Sequence, residues 1–293
     1  MSTFLLLTIT GLGLGAMYFL IASGLSLIYG LMGVLNFAHG AFLTVTAYAL
    51  WYTESKLGSI AILPRFLIAA LVGLVLVVIF AALTELVLIR PLYGRHIEQV
   101  LVTVGLALAT TALVTAIFGN DAKVVVAPRW VGETTTIFGA HIPNDRWLEI
   151  ATALAVLFGL EAFLRRTRYG LIVRAGVENR AMVTALGIDV RKAFTLVFMI
   201  GGLAAGIAAV LYTLYSTTID PQQGTSLVIF AFIVVVIGGL GSLRGTAWAA
   251  VMVGLVQQYA NYYASSGLGD LSVVLLLGLI LIVRPRGLSR SFA

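Results

Sequence analysis

Long apolar runs separated by short polar segments repeat along nearly the whole chain. A helix needs about 20 predominantly apolar residues to cross the hydrocarbon core of a bilayer, and most of these runs approach that length. The pattern predicts about nine transmembrane helices, near Phe4–Tyr29, Phe37–Tyr52, Phe66–Ile89, Val100–Phe118, Trp147–Leu164, Ala193–Tyr215, Ser226–Leu243, Ala247–Tyr263 and Leu271–Val283. We therefore expect an all-α integral membrane protein in which residues 1–293 form a single transmembrane domain.

Glycines interrupt the chain around the start of the second predicted span, at Gly30, Gly33 and Gly40. Non-helical backbone is tolerated at membrane depth only where protein or water satisfies its polar groups. The segment is therefore either a complete short span or one half of a broken helix. On this pattern the bundle is expected to contain at least one broken helix.

The composition indicates that lipid is the solvent for most of the chain. Of the 293 residues, 60% are hydrophobic and 10% are charged, whereas soluble domains carry about 25% charged residues. A soluble fold with so few charges would expose apolar patches large enough to aggregate. The 31 glycines agree with this interpretation, because close helix packing in membranes favours small residues.

Basic residues concentrate in the polar segment 165–192. It holds Arg165, Arg166, Arg168, Arg174, Arg180, Arg191 and Lys192, together with the acidic residues Glu178 and Asp189. The positive-inside bias of membrane proteins places such a loop in the cytoplasm. Counting spans outward from it puts most of the other arginines on the same side and the amino terminus outside. The basic residues behind the formal charge of +6 are then explained by their role in orienting the chain in the membrane, and no nucleic-acid partner is expected.

Two polar segments are long enough to have roles of their own. Residues 119–146, on the predicted extracytoplasmic side, are expected to be irregular or short-stranded, and form either a lid or docking surface or a tolerated insertion. Within 165–192, apolar residues at helical spacing predict a short amphipathic helix. Gly170 is expected to break the preceding helix and Gly187 to end the pattern. Such a helix either anchors on lipid headgroups or docks a partner protein.

Four polar residues inside apolar spans are candidates for a translocation path. Asn36 and His39 are three apart and share a helix face, and Gln257 and Asn261 are four apart in the eighth predicted span. Polar groups at membrane depth usually face the bundle interior or a water-filled pathway. The alternative is structural: the first pair satisfies an interrupted backbone, and the second holds helices together.

The pattern of ionisable residues disfavours an enzyme. The sequence has no cysteine, and His39, His96 and His141 lie in three separate regions without a zinc motif. We therefore expect no catalytic residues and no metal site.

Two glutamates lie near the predicted cytoplasmic boundary. Glu85 precedes Arg90 and Glu161 precedes Arg165, and ion pairs that snorkel to the interface explain both. No other carboxylate is strongly placed at mid-membrane, which argues against a proton- or sodium-coupled carrier, because such carriers generally need one.

Four short blocks of sequence occur in order along the chain. They are Asn36-Phe37-Ala38-His39-Gly40 after Tyr29-Gly30 and Gly33; Arg168-Tyr169-Gly170, Arg174-Ala175, Asn179-Arg180-Ala181-Met182 and Ala185-Leu186-Gly187-Ile188; Gly238-Gly239-Leu240-Gly241-Ser242 with Gly245; and Arg284-Pro285-Arg286-Gly287-Leu288. Together they resemble the permeases of branched-chain amino acid ABC transporters, over nearly the whole chain.

The resemblance implies a permease subunit in the inner membrane of a bacterial cell. Such permeases pair with a second, related permease and two cytoplasmic ATPases, and receive substrate from an extracytoplasmic solute-binding protein. Whether the permease pair is a homodimer or a heterodimer stays open. The second block is similar to the loop that couples to the ATPases in this family, which implies coupling roles for Arg174, Glu178, Arg180, Met182, Leu186 and Gly187.

The lysines are consistent with that division of labour. A Walker A loop needs Gly-x-x-x-x-Gly-Lys-Ser/Thr to hold phosphates, and none of Lys56, Lys123 and Lys192 lies in such a frame. ATP is therefore expected on partner subunits, with no cofactor on this chain. The expected substrate is a branched-chain amino acid or a related small polar solute, with urea, short amides and aromatic acids left open. The alternative function is a stand-alone secondary transporter or channel for a small neutral solute.

Overall fold

The computed structural model describes residues 2–33, 35–178, 180–264, 267–285 and 287–289, and most of them are helical. The helices are α1 (Ser2–Met32), α2 (His39–Lys56), α3 (Ile62–Leu83), α4 (His96–Phe118), α5 (Arg129–Gly132), α6 (Asn144–Arg166), α7 (Arg168–Glu178), α8 (Arg180–Ala185), α9 (Val190–Ser216), α10 (Gln223–Gly238), α11 (Leu243–Tyr263) and α12 (Leu268–Val283). A π-helical segment, Thr84–Ile89, and a 3₁₀ turn, Arg90–Leu92, continue α3.

Short strands occur outside the helices, in the segment 119–146 and just before α10. They are β1 (Lys123–Val124), β2 (Thr134–Ile137), β3 (Ala140–Pro143) and β4 (Thr218–Ile219). β2 and β3 form a hairpin, and β1 pairs antiparallel with β4. The short-stranded character predicted for this segment is therefore confirmed.

Five helical segments of the described chain are long and apolar enough to cross a membrane: α1, α3 with its continuation, α4, α6 and α9. Helices α10 and α11 meet that criterion only together, and they are bent by 118° at the break between them, which raises the count to at most six. The all-α membrane architecture with a broken helix is confirmed. The predicted count of nine crossing helices is not confirmed. Helix α2 is too polar to meet the criterion, since its 18 residues include His39, Glu54 and Lys56, and α12 is too short, with only 16 residues.

Glycines with positive φ mark two breaks between helices, one between α1 and α2 and the other between α10 and α11. Gly33 (φ +64°) follows α1, and Gly239 (φ +95°) and Gly241 (φ +82°) lie between α10 and α11. Residues with a Cβ rarely adopt this backbone conformation. The two interruptions also touch: a Cβ built on Gly30 would lie 2.8 Å from the Gly241 Cα.

The two ends of the bundle differ in charge. One end, which we call the basic end, brings together the last turns of α1, α6 and α12 and the α10–α11 turn. Arg244 pairs there with Glu161, and the Leu288 N–H donates to the Ile237 carbonyl at 2.8 Å. At the opposite end, the start of α1 packs on β3 and on the last turns of α11, where the Thr8 and Tyr259 hydroxyls are 2.9 Å apart.

Helix α1 is the centre of the fold. It packs against α6, α9, α10 and α11, and residues 15–28 are buried on every side. Helices α3, α4 and α12 instead expose large apolar side chains, with Leu71, Leu108 and Leu275 more than 60% exposed. Such faces are expected where helices contact lipid.

The predicted amphipathic helix of the segment 165–192 is two short helices, α7 and α8, with Asn179 outside the described residues. The preceding helix ends at Thr167, which is extended (φ −105°, ψ 152°), and not at Gly170 as predicted. Gly170 lies inside α7, where a Cβ would come within 2.7 Å of the Leu164 Cα, so its role is to let α7 fold back closely on α6. Gly187 (φ +79°) ends the helical pattern as predicted.

Candidate functional site

His39 is fully buried at the start of α2. Its Nε2 lies 2.9 Å from the Ile21 carbonyl oxygen of α1, and Nε2 donates because a carbonyl only accepts. A Cβ on Gly24 would lie 2.9 Å from the His39 Cε1 and would also meet the Gly201 carbonyl of α9. Helices α1, α2 and α9 therefore meet at His39, and glycine at position 24 permits their close approach.

Asn36 fixes the non-helical segment that precedes α2. Its buried Oδ1 accepts from the Ala38 N–H at 3.1 Å, and the neighbouring Phe37 N–H donates to Thr103 Oγ1 of α4 at 3.3 Å. The Asn36 Nδ2 and His39 Nδ1 atoms are buried and make no hydrogen bond within the described chain. Each residue thus secures the backbone with one polar group and keeps another for a further contact.

Gln257 and Asn261 connect α11 to α12. Gln257 Nε2 donates to Asp270 Oδ1 at 2.7 Å. Asn261 Oδ1 accepts from the Gly267 and Gly269 N–H groups at 3.3 and 3.0 Å, which satisfies donors at the start of α12. These are the contacts of a pair that holds helices together. Within the described residues, the partners of this pair differ from those of Asn36 and His39, so the structure places the four candidates in two separate polar regions.

At the basic end, α7 and α8 present a surface that we call the coupling surface, made of Arg174, Met182, Leu186 and Gly187. All four are exposed, and the apolar side chains of Met182 and Leu186 are 62% and 69% exposed. The side chains of Glu178 and Arg180, also predicted for coupling, lie outside the described ones.

The inner side of α8 is anchored to the bundle. Val183 packs with Val190 and Phe194 of α9, and Met32 at the end of α1 joins the same cluster. Movement of α8 would therefore displace the start of α9 and the end of α1 directly.

Glu85 forms a polar cluster that the sequence did not reveal. The predicted ion pair with Arg90 is confirmed, but Glu85 is fully buried, so its carboxylate does not snorkel to the interface. Thr195 Oγ1 of α9 donates to its Oε2 at 2.6 Å, Arg90 Nη2 donates to the same oxygen at 3.2 Å, and the Tyr93 hydroxyl donates to Oε1. Arg90 Nη2 also donates to Thr195 Oγ1 at 2.7 Å. The only signal in the sequence was the nearby Arg90.

Glu161 pairs with Arg244 and not with the Arg165 expected from the sequence. Arg244 Nε and Nη2 donate to the two carboxylate oxygens at 2.5 and 3.4 Å. This bidentate pair links the end of α6 to the start of α11 at the basic end.

Two further buried glutamates, both at the opposite end, have arginine partners. Glu54 pairs with Arg65 at 2.9 Å, and Glu149 with Arg146 at 2.9 Å. The Arg146 guanidinium also lies over the Tyr215 ring, 4.3 Å from its centroid. Arg146 was expected in a loop but lies in the first turn of α6, and Glu149 was not among the predicted candidates. Among the residues that the structure describes, no group of three His, Asp or Glu side chains is arranged to hold a metal ion.

Comparison with known proteins identifies the family. The model of the family "branched-chain amino acid transport system / permease component" matches residues 7–284. The chain is 29% identical to the high-affinity branched-chain amino acid transport system permease protein BraD of Pseudomonas aeruginosa, over 96% of this chain and 94% of that protein. It is 30% identical to the permease protein LivH of Escherichia coli K12, over 95% and 92% of the two chains.

A third relative matches a shorter stretch. The probable branched-chain amino acid transport permease protein LivM of Methanocaldococcus jannaschii is 31% identical over 40% of this chain and 34% of that protein. No solved structure matches. Because the family model extends over nearly the whole sequence, this chain belongs to the permease components of branched-chain amino acid transport systems.

Proposed function

We propose that the chain is the permease subunit of an ABC importer and forms the translocation path for a branched-chain amino acid or a related small polar solute. The family match and the near full-length similarity to BraD and LivH support this function. It is a multi-pass protein of the inner membrane, and as a permease it catalyses no covalent reaction. Its proposed partners are a second, related permease, two cytoplasmic ATPases that bind the ATP, and an extracytoplasmic solute-binding protein.

The coupling surface is the observation that carries the proposal. Contiguous exposed apolar patches mark sites of protein or membrane interaction. Met182 and Leu186 are exposed one helical turn apart and form such a patch, with Arg174 on the adjoining α7. An ATPase docked on them would act on two short helices that are packed onto the bundle. We therefore assign docking to the coupling surface, with Glu178 and Arg180 in the same segment.

The buried face of this segment suggests how force would reach the path. Helix α8 leads into α9, where Thr195 is bonded to Glu85 in the π-helical segment. π-Helical segments occur frequently at functional sites. A push on α8 would thus move the start of α9 together with the connection between α3 and α4.

Asn36, His39, Gln257 and Asn261 stay our candidates for the path. The unbonded Asn36 Nδ2 and His39 Nδ1 support a polar contact at the α1–α2 interruption. The contacts of Gln257 and Asn261 support a role in shaping the α11–α12 connection, in a separate polar region of the bundle.

We further propose nine membrane crossings, with α2, α10, α11 and α12 counted beside the five long spans. The amino terminus would then be extracytoplasmic, as would residues 119–146, while residues 165–192 form the cytoplasmic coupling loop. The segregation of polar segments to the two ends of the bundle supports this arrangement.

Reconstitution tests the function. Vesicles that contain the chain, the second permease and the ATPases should take up labelled leucine only with the binding protein outside and ATP at the ATPases. Uptake by the chain alone, without nucleotide, would contradict the proposal and favour the stand-alone transporter. The pairing of Glu54, Glu85 and Glu149 with arginines also disfavours an ion-coupled carrier, since each of these carboxylates already has a counter-charge.

A further inference from the structure

A groove of about 540 Å³ runs along the outside of the bundle between α1, α6 and α11. Apolar side chains form most of its wall, among them Leu12, Phe19, Leu157, Phe158, Trp248 and Val251. Glu161 and Arg244 close it at the basic end. The groove is therefore apolar along most of its length and charged at its mouth, at the basic end.

The mouth of the groove carries more positive than negative charge. Arg244 is bonded to Glu161 through Nε and Nη2, yet its side chain stays 59% exposed. Arg165 lies four residues after Glu161 on α6, which places both side chains on the same helix face, and it is also exposed. Two guanidinium groups thus face one carboxylate, which leaves one positive charge for an anionic ligand.

Trp248 indicates the depth of this mouth in the membrane. It lies one turn after Arg244 on α11, lines the groove and is 69% exposed. Exposed tryptophans of membrane proteins concentrate at the level of the lipid headgroups. Arg244 and Arg165 therefore lie at headgroup level, and the apolar part of the groove lies at the level of the acyl chains.

We propose that this groove binds one anionic phospholipid, with its phosphate against Arg244 and Arg165 and an acyl chain along α1, α6 and α11. Basic pockets between transmembrane helices on the cytoplasmic side bind anionic lipid headgroups in this way. A helix of the second permease is the other possible occupant, and the charged mouth together with a volume typical of a small-molecule site favours the lipid.

Native mass spectrometry of the full-length chain tests the site, with equal amounts of phosphatidylglycerol and phosphatidylcholine as probes. The wild-type chain should retain one phosphatidylglycerol in preference. Arg244→Gln should lower that preference about fivefold, the contribution of one basic side chain near a membrane surface. The control Arg95→Gln removes another exposed arginine of the basic end, outside the groove, and should leave the preference unchanged.

A second measurement keeps the wild-type sequence. Brominated phosphatidylglycerol should quench the fluorescence of Trp248, defined as the signal lost in Trp248→Phe, at a severalfold lower mole fraction than brominated phosphatidylcholine. Equal quenching by both lipids, or equal loss of preference in Arg244→Gln and Arg95→Gln, would overturn the proposal. Displacement of the lipid when the second permease binds would also overturn it, since the groove would then be a protein interface. None of these readouts needs ATPases or transport, so they fail or succeed independently of the proposed function.

Discussion

The Thr195 hydroxyl donates a 2.6 Å hydrogen bond to the Glu85 carboxylate and so joins the start of α9 to the π-helical segment after α3. Arg90 holds the same carboxylate and also donates to Thr195. Because α9 follows the coupling surface directly in the chain, these bonds connect the site proposed for the ATPases with the helices of the bundle. Disturbing them should affect coupling more than folding.

Thr195→Val tests this connection, because it removes the hydroxyl and keeps the shape. A hydrogen bond to a charged group contributes about 1.5–3 kcal/mol, so we expect leucine uptake per ATP hydrolysed to fall about tenfold or more in reconstituted vesicles, with ATP hydrolysis retained. Thr110→Val is the control, because among the described residues that buried hydroxyl bonds only to the Leu106 carbonyl of its own helix. An equal ratio of uptake to hydrolysis in both variants would refute the connection.

Leu186→Asp tests docking at the coupling surface. A charge placed on an exposed apolar contact should weaken ATPase binding about tenfold or more, as expected for a central interface residue. Co-purification of the ATPases with the permease measures this. Val124→Asp, an equally exposed apolar position at the opposite end, should leave ATPase binding as in the wild-type chain; weakening by both changes would mean a nonspecific effect.

Gly24→Ala tests the close approach of α1, α2 and α9. The added methyl group would press on His39 and on the Gly201 carbonyl, and overpacking of this kind costs about 1–3 kcal/mol. Thermal unfolding in detergent should show a lower Tm than for the wild type. Gly105→Ala on α4, where a Cβ meets no atom within 4 Å, should leave Tm unchanged or raise it. A Tm for Gly24→Ala at or above the wild-type value would show that the helices separate freely.

His39→Phe separates the bracing role of this residue from a role in the path. Loss of the hydrogen bond to Ile21 should lower the free energy of unfolding by about 1–3 kcal/mol. If His39 also contacts solute through Nδ1, the KM for uptake should rise in the protein that remains folded. His141→Phe, at an exposed position in the β2–β3 hairpin, should change neither quantity. Wild-type stability in His39→Phe would contradict the bracing role.

The sequence was sufficient to predict the membrane architecture and the interruption before α2. Lipid fixes the length and polarity of a crossing helix, so α1, α3, α4, α6 and α9 follow from the apolar runs alone. The glycines that mark the two interruptions belong to sequence blocks that also carry the family resemblance. The number of crossings was harder to predict, because α10 and α11 are bent against each other by 118° and a hydropathy pattern does not predict the angle between two helices.

The Glu85–Arg90 pair could be predicted from its spacing, but the Thr195–Glu85 bond and the Arg244–Glu161 pair could not, because their partners are distant in sequence. Thr195 and Glu85 are 110 positions apart. Arg165, four positions from Glu161, was the natural partner by helical spacing, yet packing of α11 brings Arg244 to that carboxylate, 83 positions away. Such pairs depend on which helices become neighbours, and that is set by the whole bundle.

Labelling of Leu186→Cys tests most directly whether the coupling surface faces the ATPases. The chain has no other cysteine, so a membrane-impermeant maleimide reports on this position alone. The account predicts labelling in inside-out vesicles, slower labelling when the ATPases are bound, and none in intact cells. Labelling from the outside of intact cells would place α7 and α8 beyond the reach of any cytoplasmic ATPase and would contradict the account.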